Sequence, residues 1–340
     1  MATLELKQNL RKDWRIEMSR HFIRRNLKKV PPLVSMVRAA RSLRRSYRTR
    51  RLLANCPEGG FLNCNGLSVF CDFRKESYAW YDGPSANLSA EQQVIEMLFE
   101  QNEGDVFIDI GAHFGYFSAF AAGMDCVAKT LALEPDRDNF QCLQRTMAAL
   151  PNSQVVLLQQ AVSDRDGEVA LYATDAPCLH TYPEEGSRLA YQIPCTSLDS
   201  LVSMHCKDGD KVAVIKIDVD GAEPLMFGGG DNTIREHRPI IFMEFAPLAL
   251  EASGVVPQHF YSELCDRFHV YWCDGPSPQL PKVSSADFDR IEATVRDRVT
   301  NLVLSSSPLH FHVKETRNGV SHASPRTQRP IARRAVASNS

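Results

Sequence analysis

Two glycines and a glutamate follow two predicted strands at a characteristic spacing. The apolar segment Val106–Ile110 runs directly into Gly111 and Gly115, and Glu134 comes 23 residues after Gly111. Glycines after a buried strand permit a tight turn and a close approach of the backbone to a ligand. A carboxylate at this distance can accept hydrogen bonds from both hydroxyls of a ribose. These residues therefore predict a site for a nucleoside.

The glycine turn also indicates which kind of nucleotide would fit. Ala112 follows Gly111, and no third glycine occurs at the required spacing, so the full G-x-G-x-x-G pattern of pyrophosphate binders is absent. A shorter G-x-x-x-G turn suits an adenosine group that carries no diphosphate. The pattern therefore argues against a nicotinamide-dependent enzyme, which is the alternative for the same sheet architecture.

A second group of polar residues lies at the end of the predicted strand Lys211–Ile217. Lys216, Asp218, Asp220 and Glu223 cluster there, and ligands of open α/β sheets bind at the carboxyl ends of strands. Alternation places Lys216 and Asp218 on the same side of the strand. We expect Asp218 to act as a general base and Lys216 to keep it ionised or to orient the substrate oxygen. Glu223 either holds a polar substrate or stabilises the N-terminus of the next helix.

Two alternatives for the proton transfer stay open. His113 can serve as the base in its neutral form, although its position in the glycine turn favours a role in binding the cofactor. Asp218 and Asp220, together with Glu244 in the predicted strand Pro239–Phe245, offer oxygen ligands of the kind that Mg²⁺ prefers. We assign no metal site from the sequence.

The elements that must position these residues alternate between strands and helices, which predicts an α/β fold with a largely parallel sheet. Ser89, with Gln92 as its capping-box partner, is predicted to begin the helix that precedes the first core strand. The remaining predicted elements are a hairpin at Gly59–Phe73, helices at Ala90–Glu100, Tyr116–Ala122, Asp136–Leu150 and His259–Phe268, and strands at Thr130–Leu133, Val155–Val162, Val169–Tyr172, His269–Cys273 and Arg298–Leu304.

Five sequence blocks together resemble one enzyme family. IDIGAHFG, LEPDRDNF, AVSDRDGEVALY, TSLDSL and IKIDVDGAE occur in this order between Leu88 and Leu304, and the chain resembles the FkbM family of S-adenosylmethionine-dependent methyltransferases. The resemblance implies a class I methyltransferase fold, with seven mostly parallel strands and helices on both faces. It also implies S-adenosylmethionine as cofactor and O-methylation of a hydroxyl on a glycan, a glycolipid or a polyketide-like small molecule.

The resemblance further indicates which residues contact the cofactor. We expect contacts from the glycine turn, from the acid after the second strand and from the loop after the third strand. Asp164 has a second interpretation, because Asp164-Arg165-Asp166-Gly167 is also a good turn sequence between two strands. The expected cofactor-binding residues are Asp109, Gly111, Ala112, His113, Gly115, Glu134, Ala161 and Asp164.

Composition indicates a globular protein without metal fingers or disulfides. The 340 residues are 44% hydrophobic, and the ten cysteines are scattered without a C-x-x-C pair, so they are expected to be reduced thiols. No run of 18 apolar residues and no signal-peptide core occurs. We therefore expect a cytoplasmic protein.

The first 52 residues carry a strong positive charge. They hold sixteen Lys and Arg and three acids, which is a net charge of +13. Because the whole chain has a formal net charge of −2, the other residues together carry −15. Leu4–Lys29 and Leu33–Leu53 are predicted to be basic amphipathic helices. They favour either peripheral attachment to an anionic membrane or acidic partner, or a cap that packs on the catalytic domain. Nucleic acid is not expected, because no known binding module is present.

The sequence predicts four segments. Residues 1–53 are the basic helical extension, residues 54–87 contain the hairpin, residues 88–304 form the methyltransferase-like domain, and residues 305–340 are a disordered basic tail. Ala173–Tyr191 is polar, and a loop of this length often contacts the substrate. The competing functional hypothesis is a non-catalytic methyltransferase-like scaffold that is held at a membrane by the basic extension.

Overall fold

The structure is a computed structural model, and it describes residues 47–150, 154–173, 179–183, 186–274, 280–295 and 299–311. The described residues up to Leu309 form one compact unit. A second unit begins at His310, and only His310 and Phe311 of it are described.

An eight-stranded mixed sheet forms the centre of the first unit. Its strands are β3 (Val106–Ile110), β4 (Lys129–Leu133), β5 (Val155–Leu158), β10 (Val212–Ile217), β11 (Ile240–Phe245), β12 (His269–Cys273), β13 (Lys282–Val283) and β14 (Thr300–Ser305). Their order in the sheet is β13-β12-β14-β11-β10-β3-β4-β5. The five strands from β11 to β5 are parallel to one another, whereas β14 pairs antiparallel with both β11 and β12.

The predicted parallel core is confirmed, and the strand count differs from the prediction by one. Every residue of β3 and β10 is buried, as their nearly continuous apolar sequences predict for central parallel strands. The eighth strand, β13, has two residues and pairs antiparallel with β12 at the sheet edge. A strand of this length has no periodicity from which it could be predicted.

The four helices predicted in the core begin and end close to the predicted positions, with one clear correction. The helix before β3 begins at Ala86 rather than Ala90, because the Ser85 hydroxyl caps it by accepting a hydrogen bond from the Leu88 amide at 3.3 Å. The helices are Ala86–Glu100, Tyr116–Ala122, Arg137–Ala148, Leu198–His205, Glu223–Gly228, Asp231–His237, Pro247–Ala252, Pro257–Arg267 and Phe288–Val295, and 3-10 turns occur at Glu76–Trp80 and Ser285–Asp287.

A second, four-stranded sheet was not predicted. The predicted strand Val155–Val162 is divided between β5 in the central sheet and β6 (Ala161–Ser163) in the second sheet. The other strands are β7 (Gly167–Ala173), β8 (Leu179–His180) and β9 (Arg188–Ser197), in the order β6-β9-β7-β8. The region predicted as a polar loop therefore contains β8 and the start of β9.

The predicted hairpin is confirmed and is joined to the core by side-chain hydrogen bonds. It consists of β1 (Gly60–Cys64) and β2 (Leu67–Cys71), and its turn residues Asn65 and Gly66 both have positive φ. The Asn65 amide donates to the Tyr116 hydroxyl at 2.9 Å. The hairpin turn is thus tied to the start of the helix that follows the glycine loop.

Most of the predicted basic extension and C-terminal tail lies outside the described residues. Residues 47–55 are helical, residues 1–46 are not described, and the chain is described only to residue 311 at its other end. Among the described helices, none combines the length and the apolar character needed to cross a bilayer.

Candidate active site

A cavity of about 580 Å³ opens at the carboxyl ends of the central strands. The residues after β3, β4 and β10 line it, and residues of the helix Ala86–Glu100, of β14 and of the second sheet complete the wall. Among the described lining residues, the charged side chains are six acids and one base, Lys216. The acids are Glu91, Glu134, Asp136, Asp218, Asp220 and Glu244.

The turn after β3 needs glycine at its first position. Gly111 has φ +79°, and a Cβ atom there would collide with the carbonyl oxygen of Asp218. The amides of Gly111 and Ala112 both donate to the Leu133 carbonyl, at 3.0 and 2.9 Å. The turn is therefore held between β10 and β4, and its backbone lines the cavity.

Glu134 lies at the end of β4 with both carboxylate oxygens in use. Oε2 accepts a hydrogen bond from the His113 amide at 2.8 Å, and Oε1 accepts one from the Asp136 amide at 2.9 Å. Burial, with the nearby Asp136 charge adding to it, raises the pKa of Glu134 to about 7. Oε1 accepts a second hydrogen bond from the Asn139 side-chain amide at 3.4 Å. Because each carboxylate oxygen can accept two hydrogen bonds, Oε2 is the oxygen that retains capacity for a ligand hydroxyl.

Lys216 connects the turn to the acids of the neighbouring strands. Its ammonium lies 3.4 Å from Oδ1 of Asp109 and 3.2 Å from Oδ2 of Asp218, and it donates to the Gly111 carbonyl at 3.3 Å. Burial alone would lower the pKa of Lys216, but the charges of Asp218 and Asp109 outweigh it and raise that pKa above its ordinary value. Lys216 is therefore a fixed cation.

Asp218 combines access to the cavity with a fixed partner. Its side chain is 41% exposed, whereas that of Lys216 is 5% exposed. Glu244 lies on β11, the strand next to β10. Burial, and then the charges of Asp218 and Asp220, raise the pKa of Glu244 well above its ordinary value. Asp218 is the lining acid that Lys216 holds in place, whereas Asp136, another lining acid, pairs with Lys75 at 2.8 Å.

His113 is held as a neutral imidazole. Its Nδ1 lies 2.8 Å from the Tyr81 hydroxyl, and its ring stacks on Phe114 with centroids 3.9 Å apart. Burial, assisted by the positive charges of Lys75 and Lys216, lowers the pKa of His113 to about 3. A group with so low a pKa is a weak proton acceptor, so the alternative of His113 as the general base is not supported.

The cavity brings together seven of the eleven residues that the sequence analysis selected, and it leaves four outside its wall. Asp109, Gly115, Asp164 and Glu223 do not line it. The seven that do are Gly111, Ala112, His113, Glu134, Ala161, Lys216 and Asp218.

Asp109 and Gly115 serve packing around the turn. Asp109 is completely buried, and it accepts a hydrogen bond from Ser118 at 2.6 Å in addition to its ion pair with Lys216. A Cβ atom at Gly115 would lie 2.6 Å from a methyl carbon of Leu143. Glycine at 115 therefore lets two helices approach each other, and the expected cofactor contact from these two residues has no support in the structure.

Asp164 and Glu223 have structural partners away from the cavity. Asp164 is exposed and pairs with Arg165 at 3.0 Å, in agreement with the alternative interpretation as a turn residue. Glu223 is 2% exposed and accepts a hydrogen bond from the Gly221 amide at 3.3 Å. Its position at the start of the helix Glu223–Gly228 fits the second of the two roles considered above, so we omit it from the proposed catalytic group.

Several lining residues were not found from the sequence. Glu91 and Asn301 are hydrogen-bonded to each other at 2.9 Å, although 210 positions separate them. Trp80 and Tyr81 line the cavity beside His113, and Leu179 in β8 and Thr181 just after it also line the cavity. The aromatic sequence Tyr78-Ala79-Trp80-Tyr81 was an available signal for the first pair, and Leu179 and Thr181 lie in the polar segment that was predicted to contact the substrate. The pairing of Glu91 with Asn301 had no signal in the sequence.

The acids of the cavity do not form a metal centre within the described part of the chain. No three His, Cys, Asp or Glu side chains there are arranged to hold a metal ion.

A sequence model of one protein family matches more than half of the chain. It describes the methyltransferase FkbM domain and matches residues 109–297. The chain belongs to the FkbM methyltransferase family. The match begins at Asp109, immediately before the glycine turn, and contains Glu134, Lys216 and Asp218. The resemblance inferred from the five sequence blocks is thus confirmed.

Solved structures similar to this FkbM protein include three methyltransferases. The FkbM methyltransferase of Methylobacillus flagellatus KT is 16% identical, with a TM-score of 0.38 over 60% of this chain and 44% of that chain. A putative methyltransferase of Streptococcus mutans in complex with SAH is 8% identical, with a TM-score of 0.35 over 64% and 97%. An O-methyltransferase of Bacillus cereus in complex with SAH is 14% identical, with a TM-score of 0.36 over 64% and 80%.

These similarities do not extend to specific functions. The chain spans less than half the length of the Methylobacillus flagellatus protein. No curated protein matches the chain. The assignment to the FkbM family therefore depends on the sequence model.

The FkbM cavity has the features that an adenosine-containing cofactor requires. Gly111 allows close approach of the backbone, and Glu134 keeps acceptor capacity beside it. Nε2 of His113 is buried without a hydrogen-bond partner among the described residues, so a polar atom beside this turn is left to be satisfied. The residues present thus fit a nucleoside carrying polar groups.

Proposed function

We propose that this FkbM-family protein is an S-adenosylmethionine-dependent O-methyltransferase. The observation that carries the proposal is the arrangement of Glu134, the Gly111 turn and the Lys216–Asp218 pair around one cavity. A site for a nucleoside and a candidate base therefore share a single space of about 580 Å³. The family match supports methyl transfer as the reaction.

The chain's own residues would bind and orient the reactants. Oε2 of Glu134 would accept a hydrogen bond from a ribose hydroxyl, and the backbone of Gly111 and Ala112, with His113 and Ala161, would surround the rest of the cofactor. When bound, S-adenosylmethionine supplies an electrophilic methyl group on a sulfonium, which is a good leaving group. The protein then has to align the acceptor hydroxyl and remove its proton.

Asp218 is the residue we assign to proton removal. Its carboxylate would accept the hydroxyl proton as the oxygen forms its bond to the methyl carbon and the bond between that carbon and sulfur breaks. Lys216 keeps Asp218 in place through the 3.2 Å ion pair. A general base contributes about 10²–10⁴-fold to such a step, while alignment of the reactants contributes more.

We propose a hydroxyl on a glycan, a glycolipid or a polyketide-like small molecule as the acceptor. The support is a cavity wall rich in hydrogen-bond acceptors, with Glu91, Asp218 and Glu244 beyond the glycine turn. Leu179 and Thr181, from the region that was predicted to contact substrate, also line this cavity.

Titration calorimetry tests the proposed cofactor. Wild-type protein should bind S-adenosylmethionine and SAH with micromolar affinity and should not bind NAD. Glu134→Ala should weaken both interactions while the far-UV circular dichroism stays unchanged. Glu168→Ala, at an exposed position of β7, is the control and should bind as wild type does. Binding of NAD in place of SAH, or unchanged affinity in Glu134→Ala, would contradict the assignment.

The alternative function is a methyltransferase-like scaffold attached to a membrane surface. The sixteen basic residues among the first 52 support peripheral binding to anionic lipid. Residues 1–53 should then cause the protein to sediment with anionic liposomes, and their deletion should abolish it. Insolubility of the shortened protein would instead support a cap that covers the catalytic domain. The scaffold becomes the main hypothesis if no SAH binding is found.

A further inference from the structure

The cavity extends across five strands of the central sheet. Glu134 follows β4, and Asn301 belongs to β14, with β3, β10 and β11 between them. Four strand spacings of about 4.8 Å each separate these two ends by about 19 Å. The end at Asn301 is therefore available to a different ligand group from the one held at Glu134. We call it the distal end.

Glu91 and Asn301 form a fixed pair at the distal end. The Asn301 side-chain amide donates to Oε1 of Glu91 at 2.9 Å. Glu91 lies on the helix Ala86–Glu100, whose residues Val94, Ile95 and Leu98 are fully buried, so packing holds the backbone of this helix in place. Asn301 is the register partner of Glu244 in the antiparallel pairing of β14 with β11.

The pair leaves acceptor atoms free for a ligand. No described residue donates a hydrogen bond to Oε2 of Glu91 or to Oδ1 of Asn301. Both residues line the cavity, and so does Val299, which is 47% exposed and lies two positions before Asn301. The distal end thus combines hydrogen-bond acceptors with an accessible apolar side chain, which suits a molecule that carries both hydroxyl and C–H groups.

The distal end is acidic, and Glu91 gives it negative charge above neutral pH. Burial raises the pKa of Glu91 to about 7, and the charge of Asp218 adds to this effect, so Glu91 is mainly ionised at pH 8. Burial and the charges of its acidic neighbours raise the pKa of Glu244 well above its ordinary value. Lys216, the basic residue among the described cavity residues, is already engaged by Asp109 and Asp218. At pH 8 an incoming anion would therefore meet the charge of Glu91, whereas an incoming hydroxyl would meet a hydrogen-bond acceptor.

We propose that Glu91 and Asn301 bind the methyl acceptor and select it by its charge. They accept hydrogen bonds from an uncharged, hydroxyl-rich acceptor and exclude acceptors that carry a carboxylate or phosphate at this position. The inference rests on the proposed function, because it assumes that the distal end receives the acceptor. Neither residue is assigned to the chemical step; both determine specificity.

Binding of three sugars of similar size, measured by saturation-transfer NMR on the SAH-loaded full chain, tests the proposal. The probes are methyl glucoside, which is neutral, glucosamine, which is cationic, and glucuronate, which is anionic. At pH 8 wild-type protein should bind methyl glucoside at least tenfold more tightly than glucuronate. Glu91→Gln removes the charge that Glu91 carries at this pH but keeps the shape, and it should raise the affinity for glucuronate about tenfold, the change expected from about 1.4 kcal/mol of electrostatic repulsion.

Two controls make the result specific. Glu96→Gln changes an exposed acid on the same helix and should leave the order of the three sugars unchanged. SAH affinity, measured by calorimetry, should be the same in wild type and in both variants, because Glu91 lies at the other end of the cavity from Glu134. Loss of SAH binding in wild type would count against the proposed function itself and would be seen before any sugar is added.

Three results would overturn the inference while the cofactor site stands. These are binding of glucuronate to wild type as tightly as methyl glucoside, absence of binding by all three sugars to a protein that does bind SAH, and an equal effect of Glu96→Gln and Glu91→Gln. Asn301→Ala provides a second variant that keeps the charge of Glu91. It should weaken methyl glucoside binding without admitting glucuronate, and admission of glucuronate would contradict the assigned role of charge.

Discussion

The ammonium of Lys216 lies 3.2 Å from the carboxylate of Asp218, at the point where β10 ends and the cavity begins. The pair joins a buried lysine to a part-exposed acid, and the same lysine also contacts Asp109 at 3.4 Å inside the sheet. A single cation therefore links the strand core to the proposed base. Substitutions can therefore distinguish the contribution of Lys216 to stability from the proposed role of Asp218 in proton transfer.

Lys216→Met should destabilise the protein strongly. The substitution leaves Asp109 buried without its cation, and removing one partner of a buried ion pair costs about 3–5 kcal/mol. The free energy of unfolding, measured in urea, should fall by that amount. Adding Asp109→Asn should recover part of the loss, because no buried charge then stays unpaired. Equal stability of the single and double variants would show that the pair does not act as described.

Asp218→Asn should reduce turnover and leave the cofactor site intact. An amide cannot accept the hydroxyl proton, so kcat should fall by about 100-fold or more, while the affinity for SAH stays unchanged in calorimetry. SAH formation with an acceptor that wild type methylates gives the rate.

Asp220→Asn is the matched control for this prediction. Asp220 also lines the cavity and has φ +48°, a conformation that Asn tolerates well. It should retain most of the activity. A larger loss in Asp220→Asn than in Asp218→Asn would move the role of base to Asp220.

Gly111→Ala should prevent the turn after β3 from forming. A Cβ atom there would collide with the Asp218 carbonyl, in addition to the strain of φ +79°. Gly209→Ala is the control, because Gly209 has φ +96° but no atom within 4 Å of the added carbon. The control should lose about 1–2 kcal/mol of stability from backbone strain alone, and Gly111→Ala should lose more. Similar losses at both positions would show that the close approach of β10 is unimportant.

The cofactor end of the site was predictable because its signals are local. β3, the Gly111 turn, β4 and Glu134 lie within one strand-helix-strand unit, so their spacing along the chain reports their proximity in space. Gly115 shows the limit of this reasoning. A glycine that makes room for Leu143 and a glycine that makes room for a ligand look the same in a sequence, because both are selected for a missing side chain.

The distal end was not predictable, for a physical reason. Glu91 and Asn301 meet because β14 inserts antiparallel between β11 and β12, which brings Asn301 beside Glu244 and within reach of a helix 210 positions earlier. No periodicity within either segment reports this pairing. The second sheet was missed for a similar reason, since β6 and β5 are short strands of different sheets separated by two residues.

Glu134→Gln should change the pH dependence of stability. The pKa of Glu134 is raised to about 7 in the folded protein from an ordinary value of 4.5, so between these pH values the folded state binds more protons than the unfolded state. Stability contributed by this group is then present at pH 4.5 and is lost as pH rises to 7. The shift corresponds to about 2–3 kcal/mol across that window.

The difference in the free energy of unfolding between wild type and Glu134→Gln isolates the contribution of Glu134 from that of other titrating groups such as His113. At pH 5 the variant should be less stable than wild type, because glutamine offers one acceptor oxygen where the carboxyl group serves both the His113 and Asp136 amides. At pH 8 the difference in the free energy of unfolding between the two proteins should be about 2 kcal/mol smaller. The reason is that only wild type has lost the stability contributed by the protonated Glu134. Urea unfolding at the two pH values measures this, with exposed Glu168→Gln as control. A gap that stays constant would show that Glu134 is ionised throughout, held by its two amide donors.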